Sequence, residues 1–169
     1  MTRSDRSRGQ AMVEFALVIP VFILLMVGIF DLGRVVWVND TLATAAREAA
    51  RFAIVHGGSE GTLCPVGPPA TTAVIPAPGP GCLFPSPSRQ AIKDVAQKWA
   101  AGTSANVTVN VCYGVVSSCT SDTDAANATN ARGMQVMVTV TSVVDLSVPS
   151  LVGFSGFSLS ATSTMLVNH

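Results

Sequence analysis

Few residues in this chain have side chains able to do chemistry, and one of them stands where its charge is hardest to keep. Glu14 is the only charged residue in the twenty from Ala11 to Phe30. A carboxylate in such a run costs roughly 2.5 kcal/mol or more at the centre of a membrane, and less near its end. On residue type alone, Glu14 snorkels to the interface. The four cysteines, Cys64, Cys82, Cys112 and Cys119, all lie beyond the apolar run. An even count in an exported domain reads as up to two disulfides, with three possible connectivities. The sequence-local pairs Cys64–Cys82 and Cys112–Cys119 are favoured, with reduced buried thiols as the alternative. No CxxC occurs and the two histidines are His56 and His169, so no zinc site is expected. His56 sits beside Gly57-Gly58 without a nucleophile motif. Asp122 and Asp124 lie in a Ser/Thr/Asn-rich stretch and are expected to cap turns, with weak calcium binding as the alternative. These residues predict neither an enzyme nor a bound cofactor.

The apolar run positions everything else. Of the 169 residues, 49% are hydrophobic and only 12% charged, against about 25% charged in average soluble domains. Much of that excess is concentrated between Phe15 and Phe30. At about 1.5 Å per residue, a helix from Ala11 to Phe30 covers the ~30 Å hydrocarbon core of a bilayer. Arg3, Arg6 and Arg8 precede it against a single Asp5, which predicts a cytoplasmic N-terminus and export of the chain beyond Phe30. A cleaved secretory signal has a shorter apolar core of about 7–15 residues and a small-residue cleavage site. Here Asp31-Leu32-Gly33-Arg34 comes next instead, and no cysteine lies near enough for a lipid anchor. Pro20 removes one helical hydrogen bond and predicts a kink, while Gly28 and Gly33 leave room for a second helix. Ten basic and ten acidic residues with no basic stripe exclude a nucleic-acid interface.

Helical spacing continues beyond the membrane through Leu32, Val35, Val36, Leu42, Ala45, Ala46, Ala49, Phe52 and Ala53, stopping at His56-Gly57-Gly58. Asp31 with Arg34, and Glu48 with Arg51, can pair along it. A continuous helix to Val55 would be roughly 65 Å long. Residues 57–87 form a Gly/Pro-rich loop whose prolines lack the amides a phosphate cradle needs. Ser86-Pro87 fits a helix start, with Ala91, Ile92, Val95, Ala96 and a core-anchoring Trp99 after it, and a stop at Gly102. Period-two alternation then predicts strands over Val107–Val115, Met134–Thr141 and Phe157–Val167, each with one apolar face. The polar stretch from Ser117 to Arg132 joins the first two as a long hairpin. The predicted class is α+β: a long N-terminal transmembrane helix packed on a small antiparallel sheet, with one additional short helix.

Arginines, Gly9, then Glu14 and Phe15 at the head of an apolar helix resemble the processing site of type IV prepilins, particularly the Flp-type prepilins of tight-adherence systems. The stretch RGQAMVEFALVIP (Arg8–Pro20), together with AAREAARFA (Ala45–Ala53), resembles the TadE-like family of pseudopilin-like proteins. The closing LSATSTMLV (Leu159–Val167) is similar to that family's last strand. The middle of the chain, with all four cysteines, matches no part of the family's pattern. The resemblance implies cleavage between Gly9 and Gln10 by a membrane prepilin peptidase, with the leader, residues 1–9, lost. It further implies that Glu14 neutralises the new amine of Gln10, in its own chain or a neighbour, because opposite charges attract more strongly in a low-dielectric layer.

The expected organisation is therefore a leader (1–9), a transmembrane and extended helix (10–55) and an extracytoplasmic α+β domain (56–169). The expected function is that of a minor pilin or pseudopilin acting in pilus assembly or initiation. Expected partners are other pilin-like subunits, the inner-membrane assembly platform, the prepilin peptidase and the membrane itself, with no nucleic acid. The alternative is a single-pass membrane-anchored binding domain outside any pilus.

Overall fold

The computed structural model describes residues 3–57, 66–68, 89–103, 106–126, 128–147, 153 and 156–168, with side chains from residue 9 onward. Cys64, Cys82, Ser86, Pro87, His169 and most of the Gly/Pro-rich loop lie outside these residues.

The first element, α1 (Arg3–Val55), is one helix of 53 residues that runs through Pro20. It begins before Ala11 and includes the Gly9–Gln10 peptide bond. Its two parts belong to separate compact units, divided after Trp37. From Gly9 to that point no described side chain of the helix is fully buried, and fourteen large apolar residues between Met12 and Phe30 are exposed. That much bare hydrocarbon, on every side of the helix, exceeds what a soluble surface carries. This is the one candidate membrane-crossing helix among the described residues. In the same unit the Arg34 guanidinium donates to the Asp145 carbonyl at 3.3 Å.

From Val38 onward the helix becomes amphipathic. Val38, Leu42, Ala45, Ala46, Ala49, Ala50 and Ala53 are all at 0% exposure. Their steps of one, three and four residues make one continuous stripe, and alanines in it favour both helix and close approach. Glu48 and Arg51 pair at 3.5 Å on the outer side. The helix ends at Val55, with the His56 amide still bonded to the Phe52 carbonyl at 3.2 Å.

This second unit also holds a short helix, α2 (Gln90–Trp99), and three strands, β1 (Val107–Tyr113), β2 (Gln135–Val144) and, apart from its first residue, β3 (Phe157–Leu166). The sheet order is β1-β2-β3. The first pair is an antiparallel hairpin in which Val109 faces Val140, Val111 faces Val138 and Tyr113 faces Val136, all buried. β3 runs antiparallel to β2: Val167 exchanges hydrogen bonds with the chain at Gly133 and Met134, and the Thr139 and Thr162 hydroxyls meet at 3.0 Å. Along β3 the predicted alternation holds from Leu159 onward, with Leu159, Ala161, Ser163 and Met165 covered and the residues between them exposed, whereas Phe157, expected on the same apolar face, is 57% exposed.

Four sequence expectations need correction. Val115 is not part of β1 but 85% exposed, because Gly114 (φ +89°) turns the chain first. A side chain at Gly114 would strike the Ala125 methyl at 2.6 Å, so the turn is packed as tightly as it is bent. β2 does not have one covered face only: Met137 and Thr139, which point opposite to Val136, Val138 and Val140, are buried as well. Part of that second face is covered by a small cluster of Cys112, Cys119, Met137 and Val116. Trp99 is not a core anchor, being 52% exposed at the end of α2, whose buried residues are Ile92 and Ala96. α2 stops at Trp99, three residues short of Gly102, and starts at Gln90 with Arg89 at its N-cap position.

Candidate assembly site

The site is built on the first turns of α1 whose side chains are described. Side chains on a helix lean toward its N-terminus, and residues four apart lie on one face. Glu14 therefore reaches back toward Gln10, and the Gln10 Nε2 donates to Glu14 Oε1 at 3.3 Å. Both residues are exposed, as are Gly9 and the neighbouring Met12, Val13 and Phe15, the last at 64%. Glu14 is thus the single charged residue between Ala11 and Phe30, in a stretch of the helix otherwise dressed in hydrocarbon. It already binds the residue four before it.

That geometry has two chemical consequences. A chain beginning at Gln10 would carry its α-amine about one turn from the Glu14 carboxylate, within reach of an ion pair. The same helix start would leave four backbone N–H groups without intrahelical acceptors, and a carboxylate in the first turns also complements the helix dipole. Gly9 lies inside the helix, where glycine is the least stabilising residue among non-prolines, by about 1 kcal/mol relative to Ala. Nothing lies within 4 Å of where a Gly9 side chain would be. The Gly9–Gln10 bond is therefore both sterically open and at a weak point for local unwinding. Gly28 and Gly33 further along are equally open, with nothing within 4 Å of either.

The other candidates fall elsewhere and do different work. His56 stacks on Phe52 with ring centroids 4.1 Å apart, and its Nδ1 lies 2.9 Å from the Phe52 carbonyl. Its own carbonyl accepts the Val66 amide at 2.9 Å, so the histidine closes the end of α1. Cys112 and Cys119 form a disulfide. Asp122 and Asp124 do not cap turns of their own loop. They accept the backbone amides of Val111 and Tyr113, each at 2.9 Å, and pair with Lys93 and Arg89 of the α2 region.

Two features here escape sequence reasoning. Arg89 and Lys93 stand four apart, which a helix places on one face, but nothing local announces their acidic partners. Tyr113 is fully buried, with no partner for its hydroxyl among the described residues, under Gly67, whose φ is +90°. Burial pushes the Tyr113 phenol well above its ordinary range; the nearby Arg89 charge opposes this and Asp124 adds to it.

Compared with known protein families, residues 9–51 match the model described as TadE-like protein. The matched stretch is about a quarter of the chain, and it takes in nearly all of both N-terminal motifs that carry the resemblance. It covers Gly9, Gln10, Glu14 and most of the buried alanine stripe of α1. No curated protein and no solved structure matches the chain.

Proposed function

We propose that this chain is a minor pilin or pseudopilin of a tight-adherence (type IVb, Flp-type) pilus or related secretion apparatus, acting in assembly or initiation rather than catalysis. A prepilin peptidase removes the leader after Gly9. Gln10 then starts the mature chain, which stays in the cytoplasmic membrane through α1 with its second unit on the extracytoplasmic side. Other pilin-like helices and the inner-membrane assembly platform meet it along the exposed apolar helix.

The observation that carries this reading is the Gln10–Glu14 side-chain contact at the head of the exposed helix. It lies inside the stretch that matches the TadE-like model. An ionised carboxylate in that setting is costly unless it has a partner, and a new amine four residues away supplies one. A neighbour's amine would serve equally, which turns the cost of burying Glu14 into a preference for bundled helices.

The test is to replace Glu14 with Gln and with Ala in the native host. Membrane insertion should be unchanged, since both changes make the span more apolar. Assembly of the surface fibre should fall severely in both variants. Normal piliation with either would remove the mechanistic basis of the proposal. A membrane-anchored binding domain is the second reading, and the exposed Trp99 on the second unit is the feature that favours it.

A further inference from the structure

The two aspartates after β1 are spaced like the residues of a strand. β1 pairs with β2 through one edge, where Gly114 donates to Gln135. The amides of Val111 and Tyr113, two residues apart, point to the other edge. There Asp122 Oδ1 and Asp124 Oδ1, also two apart, accept them at 2.9 Å each. The period of two in Asp122-Thr123-Asp124 matches the period of two along β1. The remaining oxygen of each carboxylate turns outward to α2: Asp122 Oδ2 meets Lys93 Nζ, and Asp124 Oδ2 meets Arg89 Nη2. Each aspartate therefore joins one strand amide to one helix-side cation. Further bonds hold the segment along the same edge. Asn110 Nδ2 donates to the Thr120 carbonyl at 2.9 Å, and the Ala125 amide to the Tyr113 carbonyl at 2.9 Å.

The disulfide closes the chain between β1 and this segment. Cys112 lies on β1 between the two amides in question, and Cys119 stands three residues before Asp122. Their bond closes a sequence separation of 7 and brings the Cα atoms to 5.8 Å. Without it, the chain leaving β1 through the Gly114 turn has to find the edge again at the cost of its own conformational freedom.

We propose that the Cys112–Cys119 bond and the Asp122-Thr123-Asp124 segment act as one redox-controlled latch that closes the free edge of β1 and docks α2 on it. Forming the bond takes two electrons and two protons from the thiols and passes them to an acceptor disulfide by thiol–disulfide exchange. In a reducing compartment the latch stays open, with the outer amides of β1 bare and the α2 cations unpaired. In an oxidising one it closes. A closed latch also withdraws that strand edge as a template for another chain.

Hydrogen exchange on the full-length chain in detergent micelles tests this, with and without a dithiol reductant. Reduction should speed exchange at Val111 and Tyr113 roughly tenfold or more, and loosen α2. The β2 amides at Val138 and Val140 should change far less. The double variant Asp122→Asn/Asp124→Asn, with the disulfide intact, should show the same local pattern, since amides in place of carboxylates lose the grip on Lys93 and Arg89. Because reduction leaves the sequence unaltered and the double variant leaves the disulfide in place, each controls for misfolding in the other. Unchanged exchange at Val111 and Tyr113 after reduction would overturn the latch. So would equal acceleration in all three strands, which would make the disulfide a general brace only.

Discussion

Leu17 and Leu42 occupy the same helix and carry the same side chain, yet the first is 70% exposed and the second 0%. The difference lies in their neighbours. Around Leu17 the helix is apolar on every side, so no face is left to meet water, and the medium that suits it is lipid. Around Leu42 the apolar residues keep to one stripe, while Arg47, Glu48 and Arg51 take the other side. That stripe is buried within the unit that holds the sheet. One element thus serves two solvents, and its sequence changes pattern near Trp37. The lesson is that exposure alone does not distinguish a membrane surface from a flaw. Exposure around the whole circumference does.

Substitutions on either side should separate the two regions, and the largest effect belongs to the second unit. Gly67→Ala would bring a methyl within 2.2 Å of the Tyr113 ring at a backbone angle that side chains rarely adopt. It should destabilise that unit by about 3 kcal/mol or more, read from the denaturant midpoint, while leaving membrane insertion intact. Next, Ala46→Leu, which overfills the buried stripe, should cost about 1–3 kcal/mol. Its counterpart Leu17→Ala should leave the second unit's stability within about 0.5 kcal/mol while weakening insertion. Equal effects of these two changes on the folded unit would erase the comparison.

Two smaller effects refine the picture of the second unit. Tyr113→Phe deletes a buried hydroxyl that has no partner among the described residues and should stabilise by about 1 kcal/mol. It should also remove an alkaline loss of stability. The folded phenol holds its proton more tightly than the unfolded one, so its contribution is complete below pH ~10 and declines as pH rises further. The smallest effect is at Asp122. Burial raises its proton affinity, but the Lys93 and Val111 hydrogen bonds and the charges of Lys93 and Arg89 outweigh that and hold the carboxyl below its usual range. Its contribution is present above pH ~4 and is lost as pH falls toward the folded value, with Asp124 and Tyr113 in the same cluster. After solvent screening it should amount to less than about 1 kcal/mol. Acid titration of thermal stability should show a shallower acid limb in Asp122→Asn.

How much of the fold is legible in the sequence depends on the range of the forces involved. The end of α1 at Val55 is written in local spacing and in the His56-Gly57 stop. The three strands are written in period-two alternation, and β3 keeps that alternation in its burial from Leu159 onward. Val115 is misread because alternation runs on through Gly114, whereas the backbone turns there. The covered second face of β2 depends on a disulfide loop arriving from outside the strand, which no strand pattern records. Trp99 is misplaced because helical spacing says which residues share a face, not which face is covered. At the candidate site the Gln10–Glu14 contact is an i,i+4 relation and so is readable directly. The grip of Asp122 and Asp124 on Lys93 and Arg89 spans about thirty residues and becomes visible only in three dimensions.

The role proposed for Glu14 requires a partner that exists only after processing. Intact-mass measurement of the chain purified from its native host tests this most directly. A mature species beginning at Gln10, lacking Met1 through Gly9, is the predicted result. A chain that keeps those nine residues in cells building the fibre normally would contradict it.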